Sequence, residues 1–245
     1  MPDRVVIVPY DPEWPALFSQ LGAALRRALG DTALRIDHIG STAIPGLDAK
    51  PIIDVQVSVK AFEPLDAFRL PIESLGFVFR ADNPDRTKRY FREKPGDRRT
   101  HIHVRRAGSW AEQFALLFRD YMRTHDEDAK RYAELKYRLA EQYGEDRLGY
   151  TEAKAPFTWE MMAKATQWSQ DIGWEPGPSD AREPGIALSA QTARETIRVL
   201  PTRDDGSPCD AAALQHKPPG FGDPEVNRIG IGGIADGAAC AHDEG

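Results

Sequence analysis

The run Ile52 to Val59 (IIDVQVSV) constrains this chain most: it is largely apolar and β-branched and carries a single carboxylate, Asp54. Bounded by Pro51 and Lys60, it reads as a largely buried strand. A carboxylate inside such a strand needs a partner, a metal ion or solvent, because burying it unpaired costs several kcal/mol. Just upstream, Leu34 to His38 alternates as a second strand and ends at Gly40-Ser41-Thr42, and a Pro- and Gly-bearing connector spans Ala43 to Pro51. The Gly-Ser turn offers backbone N–H groups, a hydroxyl and close approach to an anion. The acid that follows offers a hard oxygen ligand for a divalent cation. Alone, the turn is an ordinary strand-to-helix connection. Together, turn and acid suit a nucleotide's phosphates and metal.

The remaining pattern predicts an α+β domain built on one sheet. Val5 to Val8 reads as an edge strand or entry segment. Asp11-Pro12-Glu13 reads as the start of an amphipathic helix over Pro12–Leu29, with Leu17, Phe18, Leu21, Leu25 and Leu29 at helical spacing. Phe62 to Leu75 is helix-like but carries Pro71, which predicts two short helices or a kink. Phe77 to Phe79 is a short strand. Thr87–Lys94 and Thr100–Arg105 alternate around Pro95-Gly96-Asp97 and predict a hairpin. Three helical stretches follow. Ser109 caps the first, Asp126 the second, and the third spans Asp146 to Gln170 with a break at Pro156.

Charge and composition divide the chain near residue 171. Residues 1–170 hold 26 Lys and Arg against 25 Asp and Glu, whereas 171–245 hold 6 against 13. The later part also carries 8 Pro and 11 Gly but only two aromatic residues. It lacks the apolar area to offset its ordering entropy, so it is expected to be a disordered, acidic extension (171–245) of a folded domain (1–170). Thr196 to Leu200 is its one candidate for transient structure. Both cysteines, Cys209 and Cys240, fall there, so no disulfide or Cys metal site is expected in the domain. No run approaches the ~18 apolar residues of a membrane span, and a cytoplasmic location is the default expectation. A net charge near zero over residues 1–170 also argues against non-specific nucleic-acid binding.

His101 and His103 stand two residues apart and share one face of their strand, a spacing for two metal ligands, for an acid/base pair, or for polar residues on a solvent face. The segment Arg80 to Arg106 holds ten Lys and Arg against four acids. Lys88, Tyr90, Arg92 and Lys94 would share one strand face; Arg89, Phe91 and Glu93 would take the other. A basic strand beside a metal site suits a triphosphate or a nucleic-acid backbone.

The segments HIGSTAIPGLDAKPIIDVQV, KRYFREK, RTHIHV and FRDYMRTHDEDAKRYAELKYRLA, in that order, closely resemble the GrpB family over roughly residues 4 to 168. That resemblance implies a nucleotidyltransferase-like mixed sheet of the DNA polymerase β-like superfold, with flanking helices and a helical C-terminal part. It also implies a kinship with a domain fused to some bacterial dephospho-CoA kinases; the resemblance does not extend to 171–245. The superfold's pattern is a Gly-Ser turn, two carboxylates two residues apart on the next strand, and a third on a later one. Gly40, Ser41 and Asp54 match it, while Gln56 stands at the second carboxylate and His101 or His103 at the third.

Two functions follow as expectations. In the first, the chain is a metal-dependent nucleotidyltransferase using a nucleoside triphosphate on an unidentified acceptor. Asp54 and His103 would be catalytic, Asp54, His101 and His103 would hold Mg²⁺ or Mn²⁺, and Gly40, Ser41, Thr42, Lys50, Lys88, Arg89 and Arg92 would bind phosphate. In the second, the chain is a binding module for a nucleotide or CoA-type phosphate ester, its transferase site degenerate at Gln56.

Overall fold

A computed structural model describes residues 4–181 of the 245-residue chain. Helix α1 (Trp14–Leu29) buries Trp14, Phe18, Gly22, Leu25 and Leu29 along one face. The helix starts later than the expected Pro12: its N-cap is Glu13, which makes no side-chain cap bond, and the Asp11 carboxylate instead accepts from the Glu13 amide in the turn before it. Strands β1 (Arg35–Ile39) and β2 (Ile53–Val59) follow. Next come α2 (Asp66–Ser74), β3 (Val78–Phe79), β4 (Lys88–Arg92) and β5 (Thr100–Arg106). The five strands form one sheet in the order β1-β2-β5-β4-β3. Only the β2–β5 pairing is parallel.

Alternation divides the sheet into two faces. Ile36, Ile53, Val55, Val57, Val59, Phe91, Ile102 and Val104 pack with Trp14, Phe18, Leu25, Phe68 and Ile72 of α1 and α2. Each fully buried side chain of this kind contributes roughly 1.5–3 kcal/mol. The opposite face is polar and also buried: Asp37, Gln56, Ser58, Lys88, His101, His103 and Arg105 lie beneath the C-terminal helices. β2 (IDVQVSV) therefore alternates apolar residues toward α1 and α2 with Asp54, Gln56 and Ser58 toward the polar face.

Helices α3 (Trp110–Thr124), α4 (Asp126–Gln142), α5 (Arg147–Ala153) and α6 (Ala155–Ile172) cover that polar face. Phe114, Phe118 and Met122 of α3 meet Tyr132 of α4 and Met161 and Ala165 of α6 in a second core. Ser109 caps α3 by accepting from the Glu112 amide. Asp146 caps α5, and the break before Pro156 falls at Lys154, as the sequence pattern anticipates. Asp126 is the first residue of α4 rather than its cap; with Glu127 and Asp128 it places negative charge in the first turn, where the helix dipole favours it.

Three further expectations are corrected. Val5 to Val8 forms no full strand but makes one bridge, Val8 to Ala49. Phe62 to Leu75 holds one helix, not two, with Pro71 inside it. Pro71 removes only one intrahelical bond from this short helix, while Phe68 and Ile72 still bury on the same side. The folded part also continues beyond 170. Residue 170 lies within α6, and Ser179, Asp180 and Ala181 run along the outer edge of β1. The Ala181 amide donates to the Ile36 carbonyl at 3.0 Å. Asp180 Oδ2 accepts from the His38 amide and from Arg119, each at 2.9 Å. The edge strand is thereby covered rather than left open for pairing. Cys209, Cys240, Thr196 to Leu200 and the remainder of the expected extension lie outside the described residues. Among the described residues no helix is long and apolar enough to cross a membrane.

Candidate metal and phosphate site

Parallel pairing of β2 with β5 sets Asp54 opposite His101 and Gln56 opposite His103. All four side chains emerge on the polar face. Asp54 Oδ1 lies 3.1 Å from His103 Nε2 and 3.2 Å from His101 Nδ1. The three donor atoms lie within 4.8 Å of one another. His101 Nδ1 is close to the carboxylate but not aligned as a hydrogen bond, and His101 Nε2 and His103 Nδ1 also lack a hydrogen-bond partner. The Tyr90 ring packs on both imidazoles, with centroids 5.5 and 5.2 Å away, and fixes their orientation.

The electrostatics suit a cation. Burial opposes ionisation of Asp54, but the neighbouring His101 and His103 outweigh it and hold the carboxyl well below its usual range. Burial, then the positive Lys88, lowers His103 to about 3. Burial also lowers His101. Neutral imidazoles beside an ionised carboxylate are the protonation state that metal ligands need. One carboxylate oxygen and two imidazole nitrogens therefore fit a divalent ion with open coordination positions. Imidazole favours Mn²⁺, Co²⁺ or Zn²⁺ over Mg²⁺.

The turn after β1 brings a second set of groups to the carboxylate. Gly40 has φ +70° and ψ −172°, and a Cβ there would stand 2.7 Å from Asp54 Oδ2. A 3₁₀ turn, Ser41–Ala43, follows. The Thr42 hydroxyl donates to the Ile52 carbonyl at 2.9 Å, tying the turn to the start of β2. Its one proton is thus used, so His38 Nε2, 3.1 Å away, is the donor to Thr42 Oγ1. The buried His38 ring stacks on Phe18 at 4.7 Å. Burial, then the positive Arg123, lowers His38 to about 3.

These two histidines predict an acid-sensitive fold. The unfolded imidazole titrates near 6.5, the folded ones near 3, so between those values the unfolded chain binds protons the folded chain does not. Stability is therefore fully present above pH ~6.5 and is lost progressively as pH falls toward 3. The melting temperature should drop steadily from pH 7 to pH 4, and His38→Gln, which keeps a donor but cannot titrate, should flatten the profile. Equal melting temperatures at the two pH values, or a His38→Gln profile parallel to wild type, would show that this account is wrong.

Beside Asp54 a small cavity is lined by Ser41, Thr42, Lys50, Lys136, Tyr150 and Lys154. The Lys50 and Lys154 ammonium groups stand 4.9 and 4.5 Å from the Tyr150 ring centroid. The Lys136 group stands 4.6 Å from that of Tyr132 and contacts the Asp48 carbonyl. Burial and then Lys154 lower Lys50 to about 5; burial lowers Lys154 to about 8 and also lowers Lys136. Three lysine side chains, whose charged forms burial disfavours, converge here with Asp54 the one acid in the lining. An anion in the cavity would favour their ammonium forms.

The structure thus brings Gly40, Ser41, Thr42, Lys50, Asp54, His101 and His103 into one place. Lys88 and Arg92 share the strand face but lie outside the cavity lining. Lys88 is buried between Asp85, at 3.6 Å, and the Tyr90 ring; Arg92 pairs with Glu93 at 2.9 Å. Arg89 lies across the sheet, its guanidinium 4.2 Å from the Phe62 ring centroid. Gln56 is turned away from the metal donors. Its Oε1 accepts from Arg105 at 2.5 Å and its Nε2 donates to the Glu112 carbonyl at 3.4 Å. Sequence reasoning did not single out Lys136, Lys154 or Tyr150. Lys136 had a signal, because it falls between Tyr132 and Leu139 on the buried stripe of α4, where a lysine is out of place. Lys154 had none, since it stands at a helix break whose sequence shows only that the helix ends.

Comparison with known proteins places this arrangement in context. A family profile described as "GrpB protein" matches residues 4–164. A UPF0157 protein of Pseudomonas aeruginosa is 36% identical over 218 residues, covering 87% of this chain and 88% of its own length. Similarity to that protein must therefore run past residue 170, farther than the motifs alone suggest. A dephospho-CoA kinase of Mycolicibacterium paratuberculosis is 34% identical over 201 residues, 70% of this chain. The match covers 48% of that kinase, so the chain spans about half its length. The crystal structure of GrpB from Enterococcus faecalis superposes with a TM-score of 0.62 at 30% identity, over 67% of this chain and 99% of that one.

Proposed function

The chain belongs to the GrpB family, and we propose that its site binds one divalent metal ion together with the phosphate groups of a nucleotide or related phosphate ester. The observation that carries this reading is the adjacency of two sites of opposite preference. The Asp54–His101–His103 cluster suits a cation, and the cavity of Lys50, Lys136 and Lys154 against the Ser41-Thr42 turn suits an anion. A phosphate ester bound through a metal satisfies both at once. Asp54, His101 and His103 would hold the metal, which would neutralise phosphate charge. Ser41 offers a hydroxyl, and the three lysines complement the negative charge.

Gln56 favours holding the ester over transferring its nucleotidyl group. Transfer by the two-metal route places ions on both the attacking and the leaving oxygen. Here the second carboxylate is absent, and Arg105 engages the amide in its place. The similarity to part of a dephospho-CoA kinase adds one ligand class to those worth testing, the CoA-type phosphate esters.

With Mn²⁺ present, a nucleotide or CoA-type ester should raise the melting temperature of the full chain in a saturable way. Lys136→Met combined with Lys154→Met should weaken that ligand by about tenfold or more. No stabilisation by any such ligand would remove the proposal. Release of pyrophosphate from a nucleoside triphosphate in an Asp54-dependent manner would replace holding with nucleotidyl transfer.

A further inference from the structure

The segment after α6, residues 174–181, grips β1 where that strand runs into the Gly40-Ser41-Thr42 turn. It lies beyond the match to the family profile, which ends at residue 164. Asp180 Oδ2 accepts from the outward amide of His38 and from Arg119 Nη1, each at 2.9 Å. The same Arg119 nitrogen donates to the His38 carbonyl at 3.1 Å. One Asp180–Arg119 pair therefore holds both backbone polar groups of His38 in a closed ring of hydrogen bonds. At the other end of the segment, Trp174 packs against the cluster of Ile39, Ala115 and Leu116, and its indole N–H donates to Asp120 at 3.2 Å. The two anchors thus meet the last two residues of β1, His38 and Ile39.

His38 connects this restraint to the site. Its ring bonds Thr42 Oγ1 at 3.1 Å, and Gly40, two residues on, lies close against Asp54. The Arg119 guanidinium is buried, and a charge-assisted bond there is stronger than a neutral one. Without the segment, the outward amide of His38 loses its acceptor and the end of the edge strand is free to fray. We infer that residues 174–181 set the ligand affinity of the phosphate turn. Docked, the segment fixes the end of β1 and the turn in the binding geometry; released, it leaves the turn loose. Asp180 is a positioning residue, acting through His38 and not on the ligand. The metal donors come from β2 and β5 and keep their place in either state. This rests on the reading of the Ser41 turn and the lysine cavity as a phosphate site.

The test compares wild type with Asp180→Ala, Trp174→Ala and Asp180→Asn in the full chain. Mn²⁺ alone is titrated by electron paramagnetic resonance, and ATP with Mn²⁺ by calorimetry. Each alanine variant should weaken ATP binding by about tenfold and leave Mn²⁺ affinity within about twofold of wild type. Asp180→Asn, which keeps an acceptor for the His38 amide, should recover most of the ATP affinity. Without ligand, the Ala43 and Ile44 amides, which bond to the Gly40 and Ser41 carbonyls, should exchange hydrogen faster in the alanine variants. Trp174→Ala serves if Asp180→Ala does not fold. Wild-type ATP affinity and exchange in the alanine variants would overturn the inference alone. So would an equal loss of ATP and Mn²⁺ binding, the mark of a general loss of fold. If wild type binds no ATP while exchange in the turn still quickens, the phosphate reading falls and the coupling of segment to turn stands. If wild type binds no ATP and exchange is unchanged, both fall.

Discussion

Asp54→Asn should abolish saturable binding of Mn²⁺ or Co²⁺ to this protein while leaving it folded. Among the described residues Asp54 supplies the one carboxylate of the cluster, and its side chain is 16% exposed, open enough to reach a ligand. The amide keeps the shape but loses the negative charge that draws a cation between two neutral imidazoles. The fold should persist because His101 and His103 do not rely on ion pairing to stay buried: both are held neutral, chiefly by desolvation. Mn²⁺ binding followed by electron paramagnetic resonance, or Co²⁺ binding followed by its visible absorption, reads the effect. A variant that binds either ion with wild-type affinity would mean that the three-donor cluster is not a metal centre.

Gly40→Ala should cost both stability and metal affinity. The residue combines φ +70° with ψ −172°, a region essentially reserved for glycine, where another residue is strained by roughly 1–3 kcal/mol. The added methyl would also stand 2.7 Å from Asp54 Oδ2 and push the carboxylate from its place beside the histidines. Displacement of this kind should weaken metal binding by about 10- to 100-fold, comparable to losing a ligand's outer support. Gly46 is the control. It has φ +74°, but nothing lies within 4 Å of its would-be Cβ. Gly46→Ala should therefore lower the melting temperature and leave the metal affinity intact. Equal metal affinities for the two variants would show that contact with Asp54 plays no part.

Much of the site was legible because its elements are locally encoded. The GST turn needs glycine for its backbone, and an acid in an apolar strand calls for a compensating group. His101 and His103 alternate onto one face of β5, and the hairpin pairs Lys88 with Arg105 and Arg92 with His101. The same local rules placed Lys88, Arg89 and Arg92 near phosphate on charge alone. They could not show that Lys88 is buried against Asp85 and Tyr90, or that Arg89 lies across the sheet on Phe62. Gln56 stands where the resemblance to the GrpB family implies a second carboxylate. Its actual partner, Arg105, was visible only once β2 and β5 were paired.

The sequence by itself determined the α+β class, most of the individual strands and helices, the buried strand with its lone acid and the Gly-Ser turn beside it. Each follows from backbone sterics, a two- or 3.6-residue period, or the cost of burying charge. The tertiary structure alone decided that Asp54 faces two histidines 47 and 49 residues further on, because the parallel β2–β5 register has no local signature. It alone gathered Lys50, Lys136 and Lys154 around one cavity. It also laid residues 179–181 along the edge of β1. Such convergence depends on how distant segments pack, and the buried charges in it become favourable only through neighbours that no short stretch of sequence contains.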